Sequence, residues 1–160
     1  MQGLANIEEK LNEDTKSKVK ALKIMGSRRL SSSEIKKRLI QKGEDEATAE
    51  STTVWLEKMG IVDDEEYARL IVSHYIARGY GLARIKDELY KRGIQKELWD
   101  DSLAGIDDNE VLDAADVFLQ KKLRDDFDQS DIKRASDALL RRGFTFEQAK
   151  SAINKYLQVE

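Results

Sequence analysis

The chain has 160 residues, a net charge of −3, no cysteine and no proline. The missing cysteine excludes disulfides, thiolate zinc sites and a cysteine nucleophile, and no apolar run reaches the ~18 residues a membrane span needs. Charged residues at 37% and aromatics at 7% leave a hydrophobic share of 40% to build thin, mostly aliphatic cores. Without proline, uninterrupted helices are favoured over a turn-rich β architecture, and a reducing cytoplasm is the expected setting.

Residues 1–14 are polar without a clear apolar stripe, so an N-terminal extension or the truncated end of a longer chain is expected there. Val19, Leu22 and Ile24 then predict a short leading helix. Ser31 and Glu34 have capping-box spacing ahead of a basic helix with the stripe Ser32, Ile35 and Leu39. Gly43 should end it, because a left-handed backbone costs glycine little. Ala49, Thr52 and Leu56 predict the next helix. Asp63 and Glu66 have the spacing of a helix start before Tyr67, Ala68, Ile71, Val72, Tyr75 and Ile76. Beyond Gly79, Tyr80 and Gly81 comes a second basic helix, striped by Leu82, Ile85 and Leu89 and closed by Gly93. Trp99, Ser102 and Ile106 mark its successor. Val111, Ala115, Phe118 and Leu119 form the next run, followed by a longer, acidic hinge at Arg124–Ser130. Ile132, Ala135 and Leu139 stripe the third basic helix, closed by Gly143. Thr145 and Gln148 are spaced to cap the last helix, with Ala149, Ala152 and Tyr156 on its apolar face.

Gly43, Gly93 and Gly143 lie 50 residues apart, and each ends the same kind of segment: SEIKKRLIQKG, ARIKDELYKRG and KRASDALLRRG. Leu39, Leu89 and Leu139 keep the same offset, as do the basic residues Lys42, Arg92 and Arg142. A period of this size indicates a tandem array of one supersecondary unit. The expected architecture is all-α, with three tandem three-helix modules at 15–60, 61–107 and 108–160. Modules of about 50 residues are marginal alone and should share apolar contacts with their neighbours.

The charge is segregated. Glu34–Lys42 carries four basic residues against one acidic, Arg78–Arg92 five against two, and Lys133–Arg142 four against one. The helix dipole draws Lys and Arg to any one helix C-terminus, but recurrence in all three segments favours a basic face on an acidic protein. Positions seven apart share a helix face, which pairs Arg84 with Lys91 and, at the 50-residue offset, Arg134 with Arg141. Lys36, Lys37, Arg38 and Lys42 form a patch in another register. With Arg78, Arg92 and Arg142 these are the expected partner- or DNA-binding residues. Tyr67, Tyr75, Tyr90, Trp55, Trp99 and Phe118 occupy core spacings. Tyr80, between two glycines, is the expected surface aromatic.

Catalysis finds little support. His74 is the single histidine, and no His/Cys cluster, phosphate-cradling glycine loop or nucleophile–base pair is present. Asp63–Asp64 with Glu65–Glu66 could hold Mg²⁺, but helix capping explains them better. No cofactor or metal is expected. From the residues alone, a protein-binding regulator and a helical protein contacting DNA directly both stay open.

The stretch GIVDDEEYARLIVSHYIARGYGLARIKDELYKRGI, Gly60–Ile94, resembles the signature region of the RecX family of recombination regulators. Gly60, Asp63–Asp64, Tyr67–Ala68, Arg78, Gly81, the Ile85/Leu89 pair and Arg92–Gly93–Ile94 carry the likeness; the family often has Lys where Arg92 stands. ALKIMGSRRLSSSEIKKRLIQKG resembles the family's opening block through Ala21, Leu22, Arg29, Ser31, Glu34, Leu39 and Gly43, while the third module is more divergent. The resemblance spans about Val19–Tyr156. It implies tandem three-helix modules in an elongated, curved array. It also implies binding to the RecA recombinase as its filament on single-stranded DNA, suppressing ATPase and strand exchange, with at most weak direct contact to DNA. The chain is expected to be a monomer.

Overall fold

A computed structural model describes residues 2–158. Among the described residues there are nine α-helices and no strand: α1 (Gln2–Met25), α2 (Ser32–Gln41), α3 (Glu46–Lys58), α4 (Asp64–Ala77), α5 (Leu82–Lys91), α6 (Lys96–Ala104), α7 (Asp108–Lys122), α8 (Gln129–Arg141) and α9 (Phe146–Gln158). The all-α expectation therefore holds. Residues 2–14, read from sequence as an extension, are the first half of α1.

The helix starts follow from short polar side chains that accept the orphan N–H groups of each first turn. Ser31 pairs reciprocally with Glu34, Asp107 with Glu110 and Asp128 with Asp131. Asp45 accepts from Thr48, Asp63 from Glu66 at 3.0 Å, and Thr145 and Gln148 cap each other at 3.1 and 2.9 Å. At the other ends, Gly43, Gly93 and Gly143 take φ of 98°, 69° and 96°, as their spacing predicts. After α8, Gly143 N–H reaches the Leu140 carbonyl at 3.1 Å and Phe144 N–H the Leu139 carbonyl at 3.2 Å, which satisfies the last carbonyls in a Schellman arrangement.

Packing divides the chain into two compact units. The first comprises the residues up to Tyr67 with Arg92–Ile94; the second comprises Ala68–Lys91 and the residues from Gln95 onward. In the first, α1, α2 and α3 enclose Ala21, Leu30, Ile35, Leu39, Ala49, Leu56 and Val62, with Ile24, Met25 and Trp55 half-buried around them. The face that α1 turns to this core differs from expectation. Ser17 and Ala21 are buried, whereas Val19 and Leu22 are 45% and 44% exposed. The Ser17 hydroxyl is admitted because it meets the Thr52 hydroxyl at 2.7 Å, so neither buried group lacks a partner.

In the second unit α7, α8 and α9 pack around Val111, Ala115, Leu119, Leu123, Ala135, Leu139, Phe144, Ala149, Ala152 and Ile153. The acidic hinge contributes Phe127, which lies against Tyr156 with ring centroids 6.1 Å apart. The sequence stripe Trp99, Ser102 and Ile106 runs past the end of α6, which stops at Ala104 and buries no residue fully; all three stripe residues are half-buried.

One junction occurs twice, once within each unit. In the first, the start of α2 meets the turn at Arg92–Gly93: the Ser31 hydroxyl donates to the Arg92 carbonyl, and a Cβ on Gly93 would collide with the Ser33 side chain. In the second, the start of α5 meets the end of α8. Gly81 N–H donates to the Arg142 carbonyl at 2.9 Å and Ala83 N–H to the Gly143 carbonyl at 3.3 Å. A Cβ on Gly81 would strike the Gly143 backbone, and one on Gly143 would strike Arg84. Ser31 and Gly81, and Arg92 and Arg142, are related by the same 50-residue offset. Gly93 and Gly143 are thus required both by backbone angle and by close approach; Gly43, with nothing within 4 Å of its Cβ position, by angle alone.

Candidate partner-binding surface

The basic residues singled out by sequence divide into two physical groups. The first holds the fold together. Arg142 sends Nε to the Gly79 carbonyl at 2.9 Å and an Nη to the Arg78 carbonyl at 2.8 Å. Its guanidinium lies 3.9 Å from the Tyr80 ring centre and 4.6 Å from that of Phe118. A flat, delocalised cation is suited to stacking and forked donation at once, which an ammonium is not. Arg92 repeats the theme in the first unit, donating to the Tyr67 hydroxyl with its guanidinium 5.6 Å from that ring centre. Arg84 is half-buried, paired along α5 with Glu88 at 3.3 Å and Asp87 at 3.7 Å, and its backbone faces Gly143.

The second group faces solvent. Lys37, Lys42, Arg78, Lys91, Arg134 and Arg141 are exposed. Lys91 and Arg134 already have acidic neighbours, and Arg78 has a histidine beside it. Lys91 lies 2.8 Å from Asp87, and that hydrogen bond, outweighing desolvation, holds the Asp87 carboxyl below its ordinary pKa. Arg134 lies 3.4 Å from Asp131, and the Arg78 guanidinium 3.4 Å from His74 Nε2. Lys36, on the half-buried side of α2, reaches Glu50 at 2.9 Å and Glu46 at 3.6 Å; the hydrogen bond to Glu50 raises its pKa. Arg38 is half-buried on the same helix. Exposed pairs of this kind contribute little to stability and can be exchanged for a partner's charges at small cost.

Tyr67 is buried and Trp55, Tyr75, Trp99 and Phe118 are half-buried, as their spacing predicts, but the expectations for Tyr80 and Tyr90 reverse. Tyr80 is half-buried beneath Arg142, with its ring edge-on to Tyr75 at 5.2 Å, because Gly79 turns the chain and delivers Tyr80 to the end of α4. Tyr90, spaced in sequence like a core residue, is 74% exposed. Its neighbour Leu89 takes the core position instead.

Tyr90 also discloses a feature that charge and stripe counting missed. Ile40, Tyr90 and Leu140 are 42%, 74% and 40% exposed, and they occupy the same place in each segment, three residues before the glycine. Exposed cations stand beside them: Lys37 and Lys42, then Lys91, then Arg141. The 50-residue register that revealed Leu39, Leu89 and Leu139 contained this signal one residue on. An apolar side chain left in water next to a cation at three equivalent helix ends fits contact with a protein surface, where apolar anchors and arginine carry most binding energy.

The acidic residues ahead of α4 are engaged in the fold. Asp64 receives the Ser32 N–H at 2.9 Å and its hydroxyl at 2.6 Å, and Asp63 caps α4, so both carboxylates have structural duties. Among the described residues no three His, Asp or Glu side chains are grouped to hold a metal ion, and no helix is long and apolar enough to cross a membrane.

Known proteins are similar to this chain in sequence and in fold. Residues 63–103 match the family model described as RecX, second three-helix domain. The chain is 30% identical over 146 residues to the regulatory protein RecX of Legionella pneumophila (strain Corby), covering 86% of this chain and 97% of that protein. It is 29% identical over 157 residues to the regulatory protein RecX of Mycobacterium sp. (strain JLS), covering 93% and 86%. The crystal structure of RecX from Lactobacillus salivarius superposes with a TM-score of 0.78 over 91% of this chain and 97% of that one, at 19% identity. A second crystal structure of a regulatory protein RecX gives 0.81 over 94% and 77%, at 20% identity. Both share the fold.

Proposed function

The chain belongs to the RecX family, and on that premise we propose that it is a non-catalytic regulator that binds the RecA recombinase as its filament on single-stranded DNA. Bound there in the cytoplasm, it inhibits ATP hydrolysis and strand exchange and so modulates recombination and DNA repair. The observation that carries this reading is the threefold apolar-plus-cation feature at Ile40, Tyr90 and Leu140. A polymer of identical subunits offers the same contact many times, and a repeated ligand suits a repeated target. Contacts of ~1 kcal/mol each become useful once the first raises the effective concentration of the rest. Net charge of −3 opposes tight binding to bare nucleic acid, whose affinity comes mainly from phosphate neutralisation.

The test is ATP hydrolysis by a preformed recombinase filament, titrated with this protein at fixed moderate salt. Inhibition at well below one molecule per recombinase subunit, unrelieved by excess bare DNA, is the expected result and points to blocked filament growth. Unchanged hydrolysis, or inhibition abolished by competing DNA, would overturn the assignment and favour direct DNA binding.

A further inference from the structure

The turn after α2 is an unfilled copy of a joint that the fold fills twice. In each filled joint the turn closing a basic helix, at Arg92–Gly93 or Arg142–Gly143, receives the start of another basic helix. Carbonyls at a helix C-terminus lack intrahelical donors and the first N–H groups of a helix lack acceptors, so the two ends satisfy each other. The incoming start is slender: Ser31 and Ser33 in one joint, Gly81 and Ala83 in the other. Arg92, Gly93, Arg142 and Gly143 are half-buried as a result. The third turn, Lys42–Gly43, has the same backbone, with φ of 98° at Gly43 against 69° and 96°. Yet both of its residues are exposed, and beyond its chain neighbours no described atom comes within 4 Å of the Gly43 Cβ position. A cleft of about 350 Å³ opens beside it, walled by Glu13, Lys16 and Lys20 of α1 and by Glu44, Asp45 and Thr48.

We propose that the Lys42–Gly43 turn and this cleft receive a helix start from a partner protein, one with Ser or Gly at its N-cap and an acid in its first turn. The partner is a recombinase subunit of the filament, an identification that rests on the function proposed above. The two filled joints give the shape of the occupant, and the cleft gives its polarity. Glu44 stands where Ile94 and Phe144 are buried, and Lys20 holds it at 2.6 Å, so the wall is polar and suits a helix start better than an apolar side chain. Asp45 is committed to the first turn of α3. Lys16 and Lys42 then remain exposed against Glu13, two cations against one anion. That balance favours an acid, which the first turn of a helix also favours.

This chain does not supply the occupant itself. Its Ser31 and Gly81 starts are engaged at Arg92 and Arg142. The third equivalent, Asp131, lies inside the first turn of α8. Its N–H donates to Asp128 at 2.9 Å and its carboxylate accepts the Asp128 N–H at 3.2 Å. A second copy therefore presents no free start of the same kind at that position.

The test is co-sedimentation of the 160-residue chain with preformed recombinase filament on single-stranded DNA. Asparagine tolerates a left-handed backbone better than other side chains, so Gly43→Asn should fill the open turn while melting changes little. It should lower filament affinity by roughly tenfold, the loss expected when a docked start can no longer place its hydrogen bonds. Gly60→Asn is the control: Gly60 has φ of 68° and equally open space but lies outside the cleft, and binding should not change. Lys16→Glu should weaken binding by about threefold. The chain has no cysteine, so Glu13→Cys can carry a single photoreactive label on the cleft wall, and it should join to the first turn of a recombinase helix with Ser or Gly at its start. If the unsubstituted chain does not bind filament, the functional reading falls and this proposal with it. If it binds and Gly43→Asn binds equally well, the proposal alone falls. A label joined to DNA, to a second copy, or to a recombinase segment that is not a helix start would also overturn it.

Discussion

Glycine 143 shows how two constraints accumulate on one residue. Its φ of 96° already penalises any side chain by about 1–2 kcal/mol. The Arg84 backbone against its Cβ position adds an overpacking cost of about 1–3 kcal/mol. Gly43 has nearly the same φ of 98° and open space. Gly143→Ala should therefore lower stability by about 3 kcal/mol and Gly43→Ala by about 1 kcal/mol, measured by urea unfolding; equal losses would refute the junction as the source of the difference. The turn at each glycine was legible in the sequence, since it rests on local backbone angles. The close approach was not, because Arg84 and Gly143 are distant in the chain. Tyr80 and Tyr90 were misplaced for the same reason: helical spacing gives a residue's angle about its own axis, and which angle is covered depends on neighbouring helices.

The helices are bounded by carboxylates and hydroxyls whose hydrogen bonds are local, so their starts could be read directly. Ser31 goes further. The hydroxyl that accepts Glu34 N–H at 3.1 Å also donates to the Arg92 carbonyl, joining a cap to a tertiary contact. The caps carry a pH dependence. The Thr48 backbone N–H holds the Asp45 carboxyl below its ordinary pKa, and that of Asp131 does the same for Asp128, in each case outweighing desolvation. A carboxyl whose pKa is lower in the folded state contributes stability above its unfolded value. That contribution is lost as the pH falls through the folded value, so it should fade below about pH 4. Asparagine caps about as well as aspartate but does not titrate. Asp45→Asn with Asp128→Asn should leave neutral stability nearly unchanged and flatten the loss between pH 5 and 3, followed by thermal melting; a curve parallel to the unsubstituted protein would rule the caps out as its cause.

For the molecule as a whole, function should depend on repeated weak contacts. Tyr90→Ala is expected to reduce filament affinity by roughly fivefold, about 1 kcal/mol. Ile40→Ser, Tyr90→Ala and Leu140→Ser together should reduce it by roughly a hundredfold while melting stays nearly constant, because all three side chains are exposed. A titration of filament ATPase checks both, and a triple variant no weaker than the single one would refute the repeated contact. The sequence by itself determined the helical class, the 50-residue period, most helix ends and the cores at Ile35/Leu39, Ile85/Leu89 and Ala135/Leu139. These depend on backbone angle, capping and spacing within a few turns of one helix. Only the tertiary structure decided that Arg92 and Arg142 clasp aromatic rings, that α1 turns Ser17 inward and Leu22 outward, and that Ile40, Tyr90 and Leu140 remain in solvent. Burial is decided by what packs on a helix from elsewhere in the chain, and spacing along that helix does not contain it.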